Sequence, residues 1–133
     1  GLDLGSKRIG VSICDERQSI ATPFKTINKT NTNELIDQLK LIIEANNIGG
    51  IIIGNPVNMD GSLGRSAQSV NDVALNISKS IDLPVILWDE RLSTVGAFKL
   101  SSLLDVNVSK RVKTIDQNAA AFILQGAIDF LNN

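Results

Sequence analysis

Gly1-Leu2-Asp3-Leu4-Gly5-Ser6-Lys7-Arg8-Ile9-Gly10-Val11 is an apolar run, a polar turn and a second apolar run. It reads as a strand, a tight hairpin over Ser6-Lys7-Arg8, and a partner strand. Alternation places Leu2 and Leu4 on one face and Asp3 on the other. An ionised carboxylate inside a sheet is costly unless it is paired, hydrogen-bonded or bound to a metal. Asp3 is therefore the first candidate metal ligand. The competing reading is an Asp at a sheet end, held by backbone N–H groups. Gly1 is not a natural start, and the first strand is expected to begin a few residues upstream.

Working outward, residues 9–14 form the second strand, and Asp15-Glu16-Arg17-Gln18 is a polar turn. Residues 20–27 make a third strand, in which Pro23 indicates an edge position or a bulge. Three strands joined by short polar turns predict an antiparallel meander. Asn31-Thr32-Asn33-Glu34 opens a helix with Leu35, Ile36, Leu39, Ile42 and Ile43 at helical spacing. Ile51-Ile52-Ile53-Gly54 is apolar on both faces, which suits a central parallel strand. A loop runs from Gly54 to Gly64. Residues 65–80 form a helix with Ala67, Val70, Val73, Ala74 and Ile77 inward.

Residues 83–88 predict another buried strand, leading into Asp89-Glu90-Arg91. Residues 94–104 have a helical pattern weakened by Gly96. Residues 105–113 read as a polar, basic loop. The last helix is expected to start at Thr114, with Thr114 and Gln117 spaced as a capping box. This order gives an α/β fold, a mixed sheet with helices on both faces, in one domain over residues 1–133.

Composition narrows the chemistry. The 133 residues are 43% hydrophobic and 20% charged, enough for a real core and too apolar for disorder. No run approaches membrane-spanning length. Cys14 is the only cysteine, so no disulfide forms within the chain. These features lead to the expectation of a cytoplasmic protein. There is no histidine, which removes Ser-His-Asp and Cys-His catalysis and His-bearing zinc sites. Hydrolytic chemistry must then rest on carboxylates, with a hard cation such as Mg²⁺ or Mn²⁺. A net charge of −1 gives no global basic field, so any nucleic-acid site must be locally positive.

Three acidic positions each interrupt an apolar element: Asp3 in the first strand, Glu90 after the last strand, and Asp116 in the first turn of the last helix. Ligands of open α/β sheets gather at the carboxyl ends of the parallel strands, where Asp3 and Glu90 fall. Asp116 could be delivered there, or could complement the helix dipole. Glu90 could pair with Arg91 or Lys99 at the surface. Crowded carboxylates repel, and a divalent cation relieves them. Asp60 reads as a turn residue. Asp89 either orients Arg91 or caps the next helix. Asp15, Glu16 and Asp72 read as solvated charges. If the three carboxylates converge, Lys7, Arg8, Arg65, Arg91, Lys110, Arg111 and Lys113 ring the same edge and suit a phosphate backbone; the competing reading is ordinary surface charge. With few aromatics and no Tyr, base stacking is not the main mode of binding. Trp88 reads as core.

Four stretches in register, residues 1–11, 54–64 (Gly-Asn-Pro-Val-Asn-Met-Asp-Gly-Ser-Leu-Gly), 88–94 (Trp-Asp-Glu-Arg-Leu-Ser-Thr) and 115–120 (Ile-Asp-Gln-Asn-Ala-Ala), resemble the YqgF/RuvX family. The family is described as pre-16S rRNA nucleases and as Holliday-junction resolvases. The resemblance implies an RNase H-like fold with a five-stranded mixed sheet: a three-strand antiparallel meander plus two parallel strands. It also implies metal-dependent phosphodiester hydrolysis. The family's acidic residues fall on Asp3, Glu90 and Asp116, the three chosen from the residues themselves. Asn55 stands where the family usually has an apolar residue.

The leading expectation is thus a Mg²⁺- or Mn²⁺-dependent nuclease, a hydrolase. Its expected partners are pre-rRNA or branched DNA and ribosomal precursor particles, with no membrane, and its expected state is a monomer or weak homodimer. Two other classes compete. Asp3-Leu4-Gly5 before a hairpin also opens the ATPase domains of the actin and sugar-kinase superfamily, but no second such hairpin is present. A non-catalytic RNA-binding assembly factor would differ in having no reason to bind Mn²⁺.

Overall fold

The computed structural model describes residues 1–57, 60–92 and 108–132, and for 108–117 the backbone alone. Its elements are β1 (Leu2–Leu4), β2 (Arg8–Cys14), β3 (Ala21–Asn28), α1 (Thr32–Asn46), β4 (Ile51–Asn55), α2 (Arg65–Ser80), β5 (Val85–Asp89), a 3₁₀ turn (Glu90–Leu92) and α3 (Val108–Leu131). The five strands form one sheet in the order β3-β2-β1-β4-β5. β1–β2 and β2–β3 are antiparallel, whereas β4 runs parallel to both β1 and β5. The mixed sheet is the expected one. The helix expected over residues 94–104 lies outside the described residues.

Local chemistry explains the elements. Asn31 caps α1 by accepting from the Glu34 N–H at 2.9 Å, a device worth about 1 kcal/mol. Asn47 ends the helix in the left-handed region, with φ 55°. Pro23 lies on the outermost strand, opposite Ser12, where the β2–β3 register shifts. Both expectations for Pro23 therefore hold: it has no N–H to donate, and an edge with a bulge needs none.

The core lies on both faces of the sheet. Leu2, Ile9, Val11, Ile27, Ile51 and Ile53 pack with Leu35, Ile36 and Leu39 of α1 and with Val70, Ala74 and Ile77 of α2. On the other face, Trp88 packs with Ala119, Ile123 and Ala127 of α3. Trp88 also meets Phe130 edge to face, with ring centroids 5.6 Å apart. Among the described residues no helix is long and apolar enough to cross a membrane.

Three expectations are corrected. β5 is an edge strand and is not buried throughout: Ile86 is 50% and Leu87 37% exposed. Its apolar run reads as buried because both faces pack in part, through Trp88 on one and Val85 on the other. The last helix starts at Val108, not Thr114. Val108, Val112, Ile115 and Ala119 recur at spacings of four, three and four, a helical stripe that the basic residues between them concealed. Lys110, Arg111 and Lys113 therefore lie on a helix rather than a loop. Asp116 sits in the third turn, not the first, and is too far from the terminus to serve the helix dipole, whose effect fades within one turn.

Candidate metal and nucleic-acid site

Strand alternation aims Asp3. Leu2 packs into the core with α1 and α2, so Asp3 faces the side covered by α3. There it is only 5% exposed. Its cross-strand neighbour on β2 is Gly10. On β4 the register Leu2↔Ile53, continued by one residue, sets Gly54 beside it. Asp3 thus stands between two glycines on the same face of the sheet.

Glu90 reaches the same spot from the next strand. A Cβ added at Gly54 would lie 2.8 Å from Glu90 Oε1 and would collide with Ile123 of α3. Gly54 is therefore glycine because the Glu90 carboxylate and the Ile123 side chain both rest on its backbone. Two carboxylates, one on β1 and one just after β5, flank the same glycine at the carboxyl end of the parallel strands. Both make interactions with other groups of the protein.

The third expected carboxylate is placed by helix periodicity only. Position 116 precedes the buried Ala119, Ala120 and Ile123 by three, four and seven residues. It shares their sheet-facing stripe of α3. Its side chain is outside the described residues. Among the described residues, no group of three metal-ligating side chains forms.

The 3₁₀ turn that carries Glu90 is tied by its neighbours. Asp89 Oδ1 accepts from the backbone N–H of Arg91 at 2.9 Å and from its Nε at 3.1 Å. Asp89 Oδ2 accepts from Nε at 3.0 Å and from Nη2 at 2.7 Å. This fork holds the Asp89 carboxyl below the usual range, chiefly through the Arg91 side-chain bonds, and raises Arg91. Asp89 occupies the Arg91 fork, and Lys99, the other surface partner expected for Glu90, lies outside the described residues. Asp60 proves to be the turn residue expected, accepting from Ser62 N–H at 2.9 Å and Oγ at 2.6 Å. Gly61 follows it at φ +88°.

The basic residues are distributed around this edge. Lys7 is exposed on the β1–β2 hairpin, Arg8 is half-buried beside it, and Arg65 is exposed as the first residue of α2. Gly64, at the N-cap of α2, provides no side-chain cap. The side chains of Lys110, Arg111 and Lys113 are outside the described residues. Both buried polar side-chain atoms without a hydrogen-bond partner among the described residues, Asn55 Oδ1 and Trp88 Nε1, lie at the carboxyl ends of β4 and β5. Such orphans are rare in native folds and concentrate where a structure is built for something else.

Sequence reasoning missed one feature. It took Gly54 as a strand end, although a glycine closing an Ile-Ile-Ile strand signals close approach by another group. Of the two readings for Asp89, orienting Arg91 is the one its hydrogen bonds bear out.

The comparisons with known proteins bear on the family and the fold. Residues 1–130 match the family described as RuvX: Holliday junction resolvase. A relative from Pelagibacter ubique (strain HTCC1062), named "Putative pre-16S rRNA nuclease", is 95% identical over 100% of this chain and 88% of its own length. A relative of the same name from Rhodobacter capsulatus is 46% identical over 98% of this chain and 82% of its own length. Among solved structures, T. thermophilus RuvC in complex with a Holliday junction substrate superimposes with TM-score 0.63 at 12% identity, over 100% of this chain and 94% of that one. A second Thermus thermophilus RuvC structure gives 0.57 at 10% identity, over 99% and 94%. The fold is thus RNase H-like, and the match over residues 1–130 means that the chain belongs to the RuvX (YqgF) family.

Proposed function

We propose that this chain is a divalent-metal-dependent nuclease whose site is Asp3, Glu90 and Asp116, and that it processes the 5′ end of pre-16S rRNA in the cytoplasm. One observation carries the reading: Asp3 and Glu90 approach the same glycine, Asp3 from β1 and Glu90 from the turn after β5. The donor set fits Mg²⁺ or Mn²⁺, since it offers carboxylate oxygens only. Bound there, the cation supplies charge neutralisation for a phosphodiester and lowers the pKa of water in its shell.

The chain's own residues do the rest. Asp3 is fixed by its strand, so its carboxylate needs no ordering when substrate arrives. Glu90 is fixed by the 3₁₀ turn and by the Gly54 backbone. Asp116 extends the buried stripe of α3 by one turn towards its amino end. Lys7, Arg8 and Arg65, with Lys110, Arg111 and Lys113, hold the nucleic-acid backbone and carry no base information. Arg65 is a cation at the positive end of a helix, an unfavourable position that a phosphate would offset. The names of the relatives support an rRNA substrate and, with it, ribosomal precursor particles as partners.

The test is a cleavage assay with Mn²⁺ on a pre-16S rRNA 5′ leader and on a four-way DNA junction, using wild type and Asp3→Asn. The reading expects cleavage of the leader by wild type and none by Asp3→Asn with its fold intact. Cleavage of the junction alone would favour the resolvase reading, which the Holliday junction in the related RuvC structure supports. Undiminished cleavage by Asp3→Asn would remove the assigned site.

A further inference from the structure

The fork between Asp89 and Arg91 straddles Glu90. Its two members are the residues immediately before and after it, and they are joined through the Arg91 N–H, Nε and Nη2. Closing a ring across a single residue restricts the backbone of that residue. The ring is held from outside as well: a Cβ at Gly61 would lie 3.7 Å from Arg91 Nη1, so the Asp60–Gly61–Ser62 turn of the β4–α2 loop rests against the guanidinium. Asp60 adds an attractive charge on that side. The Glu90 carboxylate, between the two, lies on Gly54.

From this geometry we infer that Asp89 and Arg91 are positioning residues that aim Glu90 over Gly54, and that Arg91 acts through this fork rather than as a contact to substrate phosphate. The inference rests on the proposed role of Glu90 in metal binding. It reassigns Arg91 from the basic rim, where its charge alone had placed it. A planar guanidinium is needed, because only a fork satisfies both carboxylate oxygens while the backbone N–H of the same residue is also engaged.

Electrostatics and positioning demand opposite signs, which makes the inference testable. Removing a cation near a divalent-metal site strengthens metal binding by Coulomb's law. Removing a positioning residue weakens it, by about 10- to 100-fold for groups that orient ligands. Mn²⁺ binding is measured by electron paramagnetic resonance for wild type, Asp89→Asn, Arg91→Ala and Arg91→Lys. Binding of the four-way junction is measured in EDTA across a salt series, and thermal unfolding confirms that each variant folds. The expected result is a weakening of Mn²⁺ binding in all three variants, Arg91→Lys included although it keeps the charge, with metal-free junction affinity and its salt slope unchanged. Tighter Mn²⁺ binding by Arg91→Ala would overturn the inference. So would unchanged Mn²⁺ binding with a salt slope reduced by about one, the mark of a lost phosphate contact. A variant that does not fold leaves Arg91→Lys, the mildest change, to decide. Wild type that binds no Mn²⁺ would overturn the metal reading and this inference together, whereas wild-type binding with unaffected variants would overturn this inference alone.

Discussion

The two ends of the sheet are built on different principles. At the amino end of the parallel strands, polar side chains close on nearby backbone. Asp15 accepts from Ser19 N–H at 2.8 Å, Ser19 Oγ at 2.9 Å and Ile20 N–H at 2.9 Å, and so shapes the β2–β3 turn. Gln125 of α3 accepts from Ala21 N–H at 2.8 Å and donates to the Ser19 carbonyl at 3.0 Å. Asn132 donates to the Gln18 carbonyl at 3.1 Å. At the carboxyl end, a buried carboxylate and a second carboxylate lie beside the same glycine, and two buried polar atoms have no partner among the described residues. The first arrangement contributes to folding and asks for nothing more. The second concentrates charge where folding alone would disperse it, which supports the proposed site.

The largest expected effect separates the two ends most sharply. Asp3→Asn keeps the shape of the side chain and removes its charge. Cleavage should fall by more than about a hundredfold, beyond what loss of an outer-shell partner costs, while unfolding in urea shows a stability no lower than wild type. A large loss of stability with retained cleavage would reverse the assignment of the two ends.

Gly54→Ala should act next most strongly. The added Cβ meets Ile123 and Glu90 Oε1 together, so one must move. Overpacking of this kind costs about 1–3 kcal/mol, and displacement of Glu90 should weaken Mn²⁺ binding about tenfold. Calorimetric titration with Mn²⁺ and denaturant unfolding would report the two effects separately. Gln125→Ala, at the amino end, should destabilise by about 1–3 kcal/mol through the backbone groups it leaves unpaired and leave Mn²⁺ affinity unchanged.

The smallest effect is a pH dependence. Backbone and side-chain bonds from Ile20 and Ser19 lower the Asp15 carboxyl from 3.8 to about 2. A lowered folded-state value means stability that is present above pH 3.8 and lost as pH falls towards 2. Thermal unfolding of Asp15→Asn against wild type should show a deficit at neutral pH that closes over this window. A deficit constant down to pH 2 would mean that Asp15 acts through shape rather than charge.

Much of this organisation was legible in the chain itself. Periodicity placed α1 and α2 with their inward residues, because both helices pack one stripe on one sheet face. Alternation aimed Asp3 correctly because a strand has only two faces. Legibility failed where the deciding contact is distant in sequence. Ile86 and Leu87 look like part of a buried strand until the strand order puts β5 at an edge. Asp15 is exposed, as its reading as a solvated charge had it, and its bonds to Ser19 and Ile20 are a local addition to that reading. Position 116 was misplaced by two turns because the basic run at 110–113 hid the apolar stripe of α3. The neighbourhood of Gly54 required three segments, β4, the turn after β5 and α3, to be seen together.

The central claim is that Asp3, Glu90 and Asp116 form one metal site at the carboxyl end of the sheet. Mn²⁺ titration monitored by electron paramagnetic resonance, on wild type and on Asp3→Asn, Glu90→Gln and Asp116→Asn, tests it most directly. The account predicts saturable binding by wild type and a loss of more than about tenfold in affinity in each variant. Wild-type affinity in any one of the three would contradict it.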